Sequence, residues 1–129
     1  MEIFAFNKAN IEFLNPTLED CFARMENAPF WLVLDRICYH VHEHPTYIVY
    51  RNRPIPYEYA YLFESYLHVP VHKPLYAISA YTHAQLSTMT ESLLLPTGTK
   101  SFMYAQLKDK ISQNEEVVKK LIRQLSTLG

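Results

Sequence analysis

The sequence predicts an α+β fold, a small single domain over residues 1–129. Three observations carry that reading. Short β-branched and aromatic blocks alternate with segments whose apolar residues recur at helical spacing. Proline, at positions 16, 29, 45, 54, 56, 70, 74 and 96, breaks the chain into those blocks. Residues 101–128 then carry one long amphipathic pattern. The predicted architecture is an N-terminal β-hairpin, several short helices and a long C-terminal helix. An all-α fold is the alternative.

Taken in order, Ile3-Phe4-Ala5-Phe6 and Ile11-Glu12-Phe13-Leu14 read as strands around Asn7-Lys8-Ala9-Asn10, a stretch that tolerates a tight turn. Asn15 followed by Pro16 starts a helix through Met25, with Glu19 and Asp20 near its positive end. From Phe30 to Val41, the spacing of Phe30, Leu34, Ile37 and Val41 predicts a helix that Pro45 stops. Thr46 to Arg53 is a strand by composition. Pro56 opens a helix from Tyr57 to Leu67, with Tyr59, Phe63, Tyr66 and Leu67 turned to the core. Leu75 to Tyr81 reads as a short strand, and Thr82 caps a helix from His83 to Leu95. Residues 1–96 thus form a Tyr- and Pro-rich body, and residues 97–100, with Gly98, read as a flexible joint.

Beyond the joint, Tyr104, Leu107, Ile111, Asn114, Val118, Leu121, Leu125 and Leu128 follow a strict three-four alternation, the spacing of a coiled-coil seam. β-Branched residues at one seam position and leucines at the other suit a parallel two-stranded pairing, with Asn114 setting register. This predicts a dimerisation surface. Met103, Val117 and Ile122 widen the stripe, which suits docking on the chain's own core equally well.

Bulk composition excludes several functions. Hydrophobic residues make up 49% and charged residues 19%, which is globular. A net charge of −1 provides no field to draw in a polyanion. No glycine precedes Gly98, so Gly-rich phosphate loops and the G-x-S-x-G nucleophile elbow are ruled out over that stretch. Cys21 and Cys38 are too few for a secreted disulfide scaffold and read as reduced, buried thiols. The first residues lack the basic start and apolar run of a signal peptide, and no run is long enough to span a membrane. The expected compartment is the cytoplasm.

Two stretches carry chemistry. Cys38-Tyr39-His40-Val41-His42-Glu43-His44 offers His40, His42 and His44 as metal ligands. Residues 40–44 also match the bare H-x-x-E-H pattern, in which two histidines hold zinc and the glutamate activates water. A further carboxylate from Glu91, Glu115 or Glu116 would be needed, and Pro45 would end the required helix. The bland reading is a polar helix end whose histidines favour the negative dipole. The second stretch holds eight of the ten tyrosines, between Tyr47 and Tyr81. Within it Tyr47, Tyr50, Arg51, Arg53, Tyr57, Tyr59 and Tyr61 interleave rings with guanidinium groups. Tyrosine presents a rigid apolar face with a polar tip, so such a field suits a protein interface. It could also stack unpaired bases, but its positive charge is sparse. Tyr50, Tyr59 and Tyr66 as core residues are the simpler alternative.

The function expected from these residues is a non-enzymatic protein-binding module: an adaptor, inhibitor or assembly factor that needs no cofactor. Its partner would be another protein held on the tyrosine–arginine surface, with the C-terminal helix for dimerisation or docking. A metal-binding protein or zinc hydrolase on the 40–44 cluster is the alternative, followed by single-stranded nucleic-acid binding.

Overall fold

The computed structural model describes residues 28–41, 43–50 and 53–127. The N-terminal hairpin and the helix through Met25, together with Cys21, His42, Arg51 and Leu128, lie outside the described residues. Within them the fold is α+β. A five-stranded sheet forms from β1 (Phe30–Leu34), β2 (Ile37–His40), β3 (Tyr47–Tyr50), β4 (Arg53–Pro56) and β5 (Leu67–Pro70). Two α-helices follow, α1 (His83–Ser92) and α2 (Lys100–Thr127). The strand order is β4-β3-β1-β2-β5. β1 pairs antiparallel with β2 and parallel with β3; β2 pairs parallel with β5, and β3 antiparallel with β4.

The segment predicted as one helix from Phe30 to Val41 is instead the β1–β2 hairpin. Helical spacing counted only four apolar residues, whereas Trp31, Leu32, Val33, Cys38 and Tyr39 are also apolar and all are buried. Two continuous apolar runs around one polar pair are the mark of strands covered on both faces. Asp35 and Arg36 form the turn with φ of 50° and 64°. Positive φ at both central residues is the type I′ geometry that matches strand twist, usually supplied by Asn-Gly. Here two non-glycine residues adopt it. Arg36 is held in place by its Nε, which donates to the Ser92 carbonyl at 2.8 Å, and by its guanidinium, 4.5 Å above the Tyr66 ring.

Other boundaries shift for local reasons. The helix expected from Tyr57 to Leu67 is a 3₁₀ segment over Tyr57–Phe63, and Leu67 belongs to β5. The stretch 75–81 is irregular, with one 3₁₀ turn at Ile78–Ala80. Thr82 caps α1 as expected: its hydroxyl accepts from the Gln85 N–H while the Gln85 side chain accepts from the Thr82 N–H. α1 ends at Ser92, three residues before the expected boundary, in a Schellman motif. The Leu95 N–H donates to the Thr90 carbonyl and the Leu94 N–H to that of Glu91. Leu94 takes the left-handed position, φ 59°, that glycine usually fills.

The joint at 97–100 is tied down. His83 Nε2 donates to the Gly98 carbonyl at 2.9 Å, Gln106 donates to the Pro96 carbonyl, and Thr99 Oγ1 accepts from the Phe102 N–H. Gly98 does not have a positive φ; a Cβ there would sit 2.8 Å from Phe102 Cδ1. The glycine makes room for a ring.

Alternation along the strands divides the core in two. Phe30, Leu32, Leu34, Ile37, Tyr39, Val49, Leu67 and Val69 meet Leu86 of α1 and Met103, Leu107, Ile111, Val118 and Leu121 of α2. Trp31, Val33, Cys38 and Ile48 face the other way and meet Phe63 of the 3₁₀ segment. The seam read as a dimerisation surface is therefore largely occupied within the chain. Leu107, Ile111, Asn114, Val118 and Leu121 are buried, and Tyr104 donates its hydroxyl proton to the Tyr76 carbonyl at 2.7 Å. Leu125 also lies within α2. Two chains pairing through this seam would have to peel it off the sheet. Asn114 stands beside the Tyr39 hydroxyl, which burial pushes up to about 12.

Candidate functional site

The side of the sheet away from α2 carries an aromatic and histidine cluster. The β1–β2 register sets Trp31 opposite His40, and the β2–β5 register sets Cys38 opposite His68. Since successive residues point to opposite faces, Trp31, His40 and His68 emerge together. The His40 ring stacks on the Trp31 indole, 4.4 Å between centroids and 15° between planes. His68 and Tyr57 meet the same indole edge-on, at 5.0 and 5.4 Å. The indole Nε1 is buried and makes no hydrogen bond among the described residues.

The proton positions follow from the partners. His68 Nε2 lies 2.9 Å from the Phe63 carbonyl oxygen, which only accepts, so this nitrogen carries the proton. In the neutral ring His68 Nδ1 is an acceptor, and His40 Nε2 donates to it at 2.9 Å. The relay links β2 and β5 to the end of the 3₁₀ segment. Burial, with His68 adding to the effect, lowers His40 to about 4.

In front of this cluster, Tyr57, Tyr59, Tyr61 and Leu62 are exposed, the last two by 61% and 55%. The Tyr59 and Tyr61 rings lie 6.5 Å apart. Seven residues thus present four large apolar side chains, held from behind by Trp31 through Tyr57 and by Phe63 in the core.

The sequence-predicted residues divide accordingly. Tyr57, Tyr59 and Tyr61 are all exposed on one segment, Tyr59 beside Tyr61 and Tyr57 against Trp31; Tyr59, expected in the core, is outside it. Tyr50 is half-buried against Phe63, and Tyr47 packs toward the α2 side, away from the other rings. Arg53 lies in β4, and among the described residues Arg36 stacks on a tyrosine, Tyr66. Of the proposed metal ligands, His40 is engaged with Trp31 and His68, and His44 is exposed. Among the described residues no group of three His, Cys, Asp or Glu could hold a metal ion. His68 and Trp31 are not among the residues that the sequence pattern singled out. The alternation Leu67-His68-Val69, buried-exposed-buried, is the signal that could have paired His68 with a strand neighbour.

Among the described residues, both edges of the sheet carry a second feature. The Tyr57 N–H donates to the Thr46 carbonyl, so residues 53, 55 and 57 face β3 and Pro54 and Pro56 face outward. The Leu67 and Val71 N–H groups bond to β2, so His68 and Pro70 face outward from β5. Proline has no N–H to offer, and each edge strand places it where a donor would otherwise invite another strand.

No helix among the described residues is long and apolar enough to cross a membrane. No protein-family model matches the chain, and no curated protein or solved structure matches it. The functional reading therefore rests on its own residues.

Proposed function

We propose that the protein is a non-enzymatic binding module that holds a partner protein against Tyr57, Tyr59, Tyr61 and Leu62. The observation that carries this reading is the exposure of four large apolar side chains on one short segment braced by Trp31. Tyrosines have few rotatable bonds, so a partner that covers them loses little side-chain entropy, and their hydroxyls keep hydrogen bonding at the rim. The outward prolines on both edge strands remove donors that strand addition would use and favour side-chain contacts as the mode. The buried, free Cys38 accords with a reducing compartment, the cytoplasm.

The test compares proteins captured from the native source by the wild-type chain, by a Tyr59→Ser/Tyr61→Ser variant and by a Lys100→Gln control. A partner held by the wild type and the control but lost from the tyrosine variant supports the reading. Identical captured sets for all three would refute it.

A further inference from the structure

On the α2 side of the sheet, a groove runs between that helix and residues 71–75. Its deeper part is a cleft of about 270 Å³ with an apolar floor of Tyr39, Val71, Leu75, Ile111 and Val118. A shallower hollow of about 430 Å³ continues it past Val118 to Ile122 and shares Val71, His72 and Lys119 with the cleft. The helix wall extends from Tyr104 to Arg123, roughly 28 Å at 1.5 Å per residue.

The charges around the groove are uneven. Lys108, Lys119 and Arg123 line it from α2 and His72 from the opposite wall; Glu115 is the single carboxylate among the lining residues and pairs with Lys119 at 2.9 Å. The cations Lys119 and Arg123 line the shallow end together with the His72 imidazole, over Val118 and Ile122. One turn of an α-helix, roughly 10 Å across and 5.4 Å long, would overfill the deeper cleft, so a helical peptide does not suit it. A single chain of methylenes does. The Tyr39 hydroxyl, beside Asn114, is the polar point of an otherwise apolar floor.

We propose that this groove binds a long-chain aliphatic carboxylate, its tail in the cleft over Val71, Leu75, Ile111 and Val118 and its head group among His72, Lys119 and Arg123. Burial of the tail supplies affinity in proportion to its length, and the cations select an anionic head. The site lies on the opposite face of the sheet from the tyrosine segment and does not depend on it.

The test titrates delipidated full-length protein with decanoate, laurate, myristate and palmitate, each below its micelle concentration, by calorimetry. The expected result is one site per chain, tightening by up to about fourfold per added CH₂ until the groove is filled. A Lys119→Gln/Arg123→Gln variant, altered only at exposed positions and checked by its thermal melt, should bind palmitate roughly tenfold more weakly. The same variant should bind hexadecanol as the wild type does. Absence of palmitate binding by folded wild-type protein overturns the proposal. So does binding that ignores chain length, or an equal loss for acid and alcohol in the variant.

Discussion

The two faces of the sheet are drawn from the same strands yet differ in chemistry. The α2 side is mostly aliphatic, and Leu86, Met103 and Leu107 reach zero exposure there. The other side is aromatic and polar: Trp31, His40 and His68 lean on one another, and the 3₁₀ segment over them turns most of its large side chains outward. The first face gains stability from close packing of the sheet against α2. The second keeps rings and hydrogen-bonding groups near water, which suits recognition more than core formation. The lesson is that alternation in a strand can assign stability and recognition to adjacent residues.

The largest expected effect separates the faces directly. Leu107→Ala, on the aliphatic side, should lower unfolding stability by about 2–5 kcal/mol in urea denaturation, since it leaves a cavity under α2. Tyr61→Ser, on the aromatic side, should change it by no more than about 0.5 kcal/mol because the ring is mostly exposed. A large loss for Tyr61→Ser would erase the proposed division.

Acid should act on the aromatic face through His40. His40 is held at about 4 against an ordinary 6.5, so between those values the unfolded chain takes up a proton that the folded chain refuses. Stability is therefore full above pH 6.5, falls as the pH drops toward 4, and loses nothing further from this group below that. Because His40 is only half-buried, the loss is expected to be on the order of 1 kcal/mol. Urea midpoints across this range should show the slope in the wild type and a shallower one in His40→Gln; equal slopes would remove His40 as its source.

Leu94→Gly should raise stability by about 0.5–1 kcal/mol, by relieving the left-handed strain at a residue that is 74% exposed and contributes little packing. A thermal melt checks this, and no change would mean that Leu94 makes a compensating contact. The smallest change in the folded chain itself is expected from Pro54→Thr/Pro56→Thr. Its consequence lies between chains: restored outward donors on β4 should produce concentration-dependent association in sedimentation velocity. A variant that stays monomeric at high concentration would show that the prolines do not guard that edge.

Much of the α+β class was legible in local signals. Thr82 announced the start of α1, the three-four spacing announced α2, and the composition of Thr46 to Arg53 announced the strand seen at Tyr47–Tyr50, because caps, composition and periodicity act within a few residues. The β1–β2 hairpin was misread because its turn contains no glycine. Asp35-Arg36 adopts positive φ with help from Ser92 and Tyr66, which are distant in sequence. The candidate site was half legible. Tyr57, Tyr59 and Tyr61 were identifiable from density alone, whereas the Trp31, His40 and His68 cluster depends on strand register, which sets residues 28 apart side by side.

By itself, the sequence determined the absence of glycine before Gly98, the aromatic wealth of residues 47–81 and the amphipathic stripe of α2. These are properties of composition and period, and no neighbour is needed to express them. Only the tertiary structure decided that the α2 stripe is buried on the chain's own sheet, that three prolines face outward on edge strands, and that His40 meets His68. Those outcomes turn on which face each residue takes. A one-residue slip in register exchanges the faces, so the pairing of strands must be settled before any of them has meaning.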